Sequence, residues 1–397
     1  MENSNLSDKV FEKKKILLVM HYGSLGGAER QGLGLSKILT ENFGCEVSLL
    51  LTFSDEMQPD FEQFAKVCHI KHIFHTHSPY LVCWKELSYR NIKRLVWSMK
   101  YIWGYRKMLK PYEFDYIFPF LNFPSKVAFY LYKVLPTVKF TFWHQLGLDV
   151  FKPDELFEKF ASKAVPAVIV NSPTGLELYK KHYGLDEEKS YILPQYLTME
   201  YLYFEKEKIR NKFKIPKNAI VFGMVAHYRE DKKHELILEA FKKVSANFDE
   251  AFLVFTGNRE SSGYTRIKYD ALEKSIREKG LGQKVRLLSQ ESIEEVLSSL
   301  DVGLLISEIE GMPNAVMEYM LYGLPVIASD HPGCKYLLKE SPYLISNDRE
   351  LLICKMSELL NRPSERDQQG HRNREHIKSF NAEAYITDLS KIIQRHL

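Results

Sequence analysis

Residues 310–318 read Glu-Gly-Met-Pro-Asn-Ala-Val-Met-Glu, and they decide how the rest of the chain is read. Two carboxylates, Glu310 and Glu318, stand on either side of a Gly-x-Pro break. Before them runs Val302-Gly303-Leu304-Leu305-Ile306-Ser307, apolar and of the length of a buried strand. After them a helical pattern continues through Met320 and stops at Gly323. Glu310 therefore falls in the loop at the carboxyl end of a strand. Pro313 suits a first helical turn, where its missing N–H costs nothing. Open parallel sheets bind ligands outside the carboxyl ends of their strands, and free N–H groups at a helix start favour an anion such as phosphate. A second strand, Pro325-Val326-Ile327-Ala328-Ser329, follows at once and ends on Asp330.

The same alternation extends in both directions. Short apolar runs at 15–22, 46–53, 116–121, 139–144, 167–172 and 190–193 predict strands in the first half. Those at 219–226, 251–256, 285–289, 302–307, 325–329 and 343–346 predict strands in the second. Helical spacers such as Glu235–Val244 and Tyr269–Glu278 separate them, which argues for parallel sheets covered by helices on both faces. One sheet of twelve strands would be unusually large, so two sheets of about six are expected. The break falls at 194–217, where Pro194, a charged aromatic run and Pro216 interrupt the pattern. The tail from Ala382 to Leu397 reads as an amphipathic helix, with Ala384, Ile386, Leu389, Ile392 and Ile393 available for burial. Two such domains in tandem leave a cleft that the strand ends of both can face.

Composition sets the class. The chain has 397 residues, 45% hydrophobic and 27% charged, enough for ordinary globular cores. A formal charge of +4 gives no argument for nucleic acid. Cys45, Cys68, Cys83, Cys334 and Cys354 are scattered and odd in number, which fits free thiols in a reducing compartment. The first 15 residues are polar, and Ile16 to Met20 is too short for a signal-peptide core. No run approaches a spanning helix, so the expectation is a cytoplasmic protein, soluble or peripheral at a membrane.

Three further motifs sit at strand ends. Gly23-Ser24-Leu25-Gly26-Gly27-Ala28-Glu29-Arg30 follows the first strand; its paired glycines allow close backbone approach and leave the next helix's N–H groups open. It is neither a dinucleotide fingerprint nor a Walker loop. Residues 223–234 place Arg229, Lys232 and Lys233 before a helix, where cations neutralise a departing diphosphate without a metal. His144, with Gly147 and Asp149 close behind, can hydrogen-bond a hydroxyl or act as acid or base. Asn171-Ser172-Pro173 reads as local turn bonding. His69, His72, His75 and His77 are dense, but no matching cysteine or carboxylate set accompanies them, and they read as surface histidines rather than a metal site. Residues 84–112 hold Trp84, Trp97 and Trp103, eight lysines and arginines, and one acid, Glu86. Ile92, Leu95, Val96, Met99, Ile102 and Trp103 recur there at helical spacing and are expected to face the core. The basic, aromatic remainder could rest on an anionic membrane.

Taken together, these pieces resemble the retaining glycosyltransferases of family 4, with their two-domain GT-B fold. The likeness runs from about Lys15 to the C-terminus. Its most specific part is Glu310 to Glu318, matching the family's E-x7-E motif, followed by Gly323–Asp330; Gly26–Arg30 and Val225–His234 match two further signatures. The resemblance implies a flexible N-terminus over 1–14, an acceptor-binding Rossmann-like domain over 15–195 and a linker over 196–217. It implies a nucleotide-sugar-binding Rossmann-like domain over 218–378, then a helix over 379–397 crossing back to the first domain. It gives Glu318 to the ribose hydroxyls and Glu310 to the donor sugar. Backbone groups of Gly311, Met312, Pro313 and Asn314 meet sugar and diphosphate, as do Gly26 and Gly27 on the phosphates. Arg229 and Lys232 take the diphosphate, and His144 stands near the reacting carbon. No metal or other cofactor is required. The implied reaction moves a sugar from a nucleotide-diphosphate donor, UDP first and GDP next, to an acceptor hydroxyl, such as a lipid-linked glycan in bacterial surface polysaccharide synthesis. Two alternatives keep the fold: a nucleotide-sugar epimerase or phosphorylase-like enzyme, and a non-catalytic carbohydrate- or nucleotide-binding subunit.

Overall fold

A computed structural model describes residues 2–53, 57–75, 81–86, 88–146, 151–184, 186–259 and 263–397. The chain divides into two compact units, Met1–Thr198 with Asn381–Leu397, and Met199–Phe380.

The N-terminal unit begins α1 (Glu2–Phe11), β1 (Lys15–Met20), α2 (Gly27–Phe43), β2 (Glu46–Leu51), α3 (Pro59–Val67), β3 (Ile73–His75) and α4 (Tyr89–Leu109). It continues β4 (Tyr116–Pro119), α5 (Asn122–Val134), β5 (Phe140–Gln145), α6 (Leu156–Ala164), β6 (Ala167–Val170), α7 (Pro173–Tyr183) and β7 (Ser190–Ile192). Among the described residues these strands form one parallel sheet, β3-β2-β1-β4-β5-β6-β7. The second unit runs α8 (Lys206–Lys212), β8 (Ile220–Val225), α9 (His234–Ser245), β9 (Ala251–Thr256), α10 (Tyr264–Glu278), β10 (Val285–Leu288) and α11 (Ile293–Ser299). Then come β11 (Val302–Leu305), α12 (Asn314–Leu321), β12 (Val326–Ser329), α13 (Pro332–Leu338), β13 (Leu344–Ile345), α14 (Arg349–Asn361) and α15 (Pro363–Ile377). Its sheet is also parallel, in the order β10-β9-β8-β11-β12-β13. The central strands are buried on both faces, which is why they read as unbroken apolar runs.

Each of the twelve expected strands forms within its range or one residue beyond it. The added strand is β3, three residues at the sheet edge and too short to show a pattern. Residues 1–14, expected to be flexible, contain α1, and its Val10 and Phe11 are buried in the sheet's core. The expected linker is not one. Residues from Met199 belong to the second unit, because buried Arg210 on α8 ties them there. Its guanidinium donates to the Ser299 carbonyl at 3.0 and 3.1 Å and pairs with Asp301 at 2.6 Å. The last helix, α16 (Ala382–Gln394), returns to the N-terminal unit. It buries Ile386, Leu389, Ile392 and Ile393 beside α1, while Ala384 stays exposed.

The helix over residues 84–112 departs most from expectation. Ser88 caps α4 by accepting from the Asn91 N–H. Of the six apolar residues expected to face the core, only Ile102 is buried; Ile92, Leu95, Val96, Met99 and Trp103 are between 44% and 59% exposed. The covered ridge is instead Asn91, Ser98, Ile102, Tyr105 and Leu109, roughly a third of a turn away at 3.6 residues per turn. The segment leading into α4 is fastened from below. Glu155, fully buried, accepts from the N–H groups of Cys83, Phe157 and Glu158 at 2.7, 3.0 and 2.8 Å and from Lys126 Nζ at 2.8 Å. Lys126 is itself 1% exposed.

Candidate functional site

In the second sheet β8 and β11 lie side by side, but the chain order reverses between them. In open α/β sheets, ligands bind outside the carboxyl ends of the strands at such a switch point. The loops leaving these two strands are residues 226–233, before α9, and 306–313, before α12. They are stitched together by backbone. Lys233 N–H donates to the Ile306 carbonyl at 2.9 Å, Glu308 N–H to the Asp231 carbonyl at 2.8 Å, and Lys232 bridges Ser307.

The stitching brings two of the sequence candidates into contact. Lys232 Nζ lies 2.5 Å from Glu310 Oε1, both largely shielded from solvent. Asp231, not singled out in the sequence, accepts from Arg229 Nε at 2.9 Å and stands 3.6 Å from Lys232 Nζ. Its position between the two cations was the signal available. Arg229 is otherwise exposed, whereas Lys233 turns away to Glu308. Behind Lys232, His234 donates from Nδ1 to the Lys232 carbonyl at 2.9 Å, and burial pushes its imidazole down to about 4.

The Glu310 loop rests on a polar floor that sequence patterns did not reveal. The Ser307 carbonyl accepts from His331 Nε2 at 2.8 Å and from Asn347 Nδ2 at 2.6 Å, and the Ser307 N–H donates to Ser329 Oγ at 2.9 Å. Gly333 on α13 presses directly on the loop: a Cβ there would lie 1.3 Å from the Gly311 carbonyl oxygen. Beneath, Tyr319 donates its hydroxyl proton to the Leu304 carbonyl at 3.1 Å and accepts from the Val225 N–H at 2.7 Å, tying α12 to both switch-point strands. Its ring lies over Gly303, where a Cβ would be 2.5 Å away.

Pro313 is the N-cap of α12, one residue earlier than expected, with extended dihedrals of −76° and 120°. It offers no side-chain cap, so the first N–H groups of the helix are left to other partners. Glu318 lies one turn further on, buried on the same helix as Met317 and Tyr319.

The N-terminal unit carries the remaining candidates at its own strand ends. Gly26 caps α2 with φ −111°, but two of the N–H groups at this turn are met from within the chain. The carboxylate of buried Glu29 folds back over the turn, accepting from the backbone N–H groups of Gly26 and Glu29; burial nonetheless raises its pKa. His144 stands on β5, also buried. Its Nδ1 accepts from the Leu121 N–H at 3.2 Å, which leaves the proton on Nε2, and burial pushes the ring down to about 4. It is therefore a neutral donor at physiological pH, not an imidazolium acid. Leu121 is held at φ 80°, ψ 167°, a region that costs a non-glycine residue about 1–3 kcal/mol. Gly147 and Asp149 lie outside the described residues, as does His77. Among the described residues no cluster of three His, Cys, Asp or Glu side chains could hold a metal ion. No helix among them is long and apolar enough to cross a membrane.

Two parallel-sheet Rossmann-like units in tandem, with the last helix returning to the first, define the GT-B fold. Residues 205–376, within the second unit, match the family model described as glycosyl transferases group 1. The chain is 24% identical over 210 residues to an uncharacterized glycosyltransferase of Methanocaldococcus jannaschii, covering 50% of each chain. It is 27% identical over 188 residues to the UDP-Gal:alpha-D-GlcNAc-diphosphoundecaprenol alpha-1,3-galactosyltransferase of Escherichia coli, covering 46% of this chain and 47% of that one. It thus spans about half the length of the curated relatives it matches. Its fold is similar to that of Anabaena HepE in complex with UDP and glucose, with a TM-score of 0.76 at 15% identity over 97% of this chain and 100% of that one.

Proposed function

We propose that this protein is a retaining glycosyltransferase that moves a hexose from a nucleotide-diphosphate donor to an acceptor hydroxyl. The observation that carries the reading is the meeting of Lys232 and Glu310 at the switch point, beside a helix start that has no side-chain cap. A cation, a carboxylate and a row of backbone donors are what a diphosphate attached to a polyhydroxylated sugar requires. The match of the second unit to glycosyl transferases group 1 supports the reaction class. UDP is the first nucleotide to test, since the Escherichia coli relative is named for UDP-galactose and the Anabaena structure holds UDP; GDP is the second. The diphosphoundecaprenol acceptor in that relative's name supports a lipid-linked glycan acceptor here.

In this reading Glu318 binds the ribose hydroxyls, Glu310 a sugar hydroxyl, and Gly311–Asn314 the sugar and diphosphate through backbone. The acceptor oxygen attacks the anomeric carbon from the face that the diphosphate leaves. The bond to the diphosphate oxygen breaks as the bond to the acceptor forms, and the acceptor proton passes to the diphosphate. Arg229 and Lys232 stabilise the charge that develops there, and no metal is required. Gly26, Gly27 and His144 belong to the acceptor-binding unit, where His144 donates Nε2–H to a hydroxyl.

The test is a nucleotide-sugar panel read by thermal shift, because a bound donor raises the melting temperature by mass action, followed by mass spectrometry of products. Lys232→Ala and Glu318→Ala are each expected to lower donor binding or turnover by about tenfold or more, about 1.4 kcal/mol. If neither does, the site is elsewhere. Conversion of the donor sugar without any acceptor would identify an epimerase instead.

A further inference from the structure

α4 is apolar on two faces, and the fold covers one. On the uncovered face Tyr89, Ile92, Leu95, Val96, Met99 and Trp103 form a continuous stripe at three- and four-residue steps, all exposed. Contiguous exposed apolar residues rimmed by charge mark interaction surfaces, whereas single exposed ones need no explanation. Beside it Lys93, Lys100 and Lys107 repeat every seven residues, so they form a row parallel to the stripe. From Tyr89 to Leu109 there is no acidic residue. Trp103 lies on the stripe with the Arg106 guanidinium 4.9 Å from its ring, whereas Trp97 lies beyond the lysine row.

We propose that α4 docks on an anionic bilayer surface, lying in its plane with the Trp103 stripe among the acyl chains and the lysine row at the phosphates. The pattern meets both requirements of an interfacial helix, an apolar face at low net hydrophobicity and cations along its flank. Charge complementarity selects this occupant over a second copy of the chain. Two α4 helices face to face would oppose like charges with no acid on either to offset them. The Glu155 anchor, which holds the segment entering α4 to α5 and α6, makes the docking rigid: the helix is presented already folded. The inference rests on the surface of α4 alone. Binding to vesicles needs no sugar donor, so it stands or falls separately from the proposed transfer reaction.

The experiment is co-sedimentation of the full chain with vesicles of phosphatidylcholine, with and without phosphatidylglycerol, at low and high salt. Binding is expected only with phosphatidylglycerol, weakening as salt rises. Together, Lys93→Glu, Lys100→Glu and Lys107→Glu are expected to weaken it by about a hundredfold or more. Ile92→Ser, Val96→Ser and Trp103→Ser together should weaken it comparably at unchanged melting temperature, because all three are exposed. Brominated lipid should quench the fluorescence of Trp97→Phe protein but spare that of Trp103→Phe. No sedimentation with the anionic vesicles, equal binding to neutral ones, or full binding by the charge-reversed variant would overturn the proposal. So would a solution dimer that the three serine substitutions dissociate.

Discussion

Gly333→Ala adds one methyl group to α13 and removes no functional atom, yet it is expected to disable the donor site. The new Cβ would lie 1.3 Å from the Gly311 carbonyl oxygen and 2.5 Å from its carbon. Both are backbone atoms, so no side chain can rotate out of the way. Restoring ordinary contact requires a relative shift of about 2 Å. Gly311 follows Glu310 directly, so the shift passes to the carboxylate paired with Lys232 and to the start of α12. Misplacing a positioning group by about 1 Å costs on the order of a hundredfold in rate, and overpacking costs about 1–3 kcal/mol of stability. The control is Gly370→Ala on α15, whose Cβ would be 2.1 Å from the carbonyl oxygen of Gly323, in the turn that enters β12 at its amino end. Both variants are expected to melt lower. By calorimetric titration with UDP, only Gly333→Ala should lose affinity. If Gly333→Ala binds the nucleotide and turns over like the parent while melting lower, the Gly311 loop is not part of the site.

Other outcomes follow from the buried charges. Glu155→Ala leaves Lys126 without its buried partner and is expected to cost about 3–5 kcal/mol in urea unfolding; it should also speed alkylation of buried Cys83, and a loss under about 1 kcal/mol would contradict the pairing. His144 and His234 titrate near 4 when folded, against 6.5 for the free side chain. The unfolded chain therefore binds more protons below 6.5, and stability is lost as pH falls from 6.5 toward 4. At pH 5 the loss is about 2 kcal/mol for each. Replacing both with glutamine should shrink the difference between urea midpoints at pH 7 and pH 5, and an unchanged difference would refute the assignment. Asp231→Ala removes the acceptor that orients Arg229 and the more distant of the two carboxylates beside Lys232, so donor KM should rise about threefold, consistent with the loss of one exposed ion pair.

The sequence already carried most of the sheet architecture. Strands buried on both faces are unbroken apolar runs, and β1, β2, β8 and β11 could be read from them directly. The Glu310 loop was readable too, because its strand, its proline and its helix are consecutive. What stayed hidden depends on contacts between distant residues. Lys126 and Glu155 are 29 positions apart and look like surface charges until both are buried. The Ser307, Ser329, His331 and Asn347 floor comes from three strand ends that meet only in the folded sheet. Glu29 passed as part of a glycine motif, although its carboxylate covers the turn. α4 was misread for a different reason. Periodicity finds an apolar stripe on a helix but does not say which side the fold covers, and here a second, weaker ridge of Asn91, Ser98, Ile102, Tyr105 and Leu109 packs inward.

The return of α16 to α1 has a consequence for biosynthesis. The first unit cannot be completed from its own first 198 residues, because Ile386, Leu389, Ile392 and Ile393 belong to its core. On the ribosome it must wait, with that surface open, while the whole of Met199–Phe380 is made and folds as an uninterrupted piece. A fragment ending before Asn381 should aggregate, and adding residues 381–397 as a separate peptide should rescue it. Residues made after the second unit close the unit begun before it.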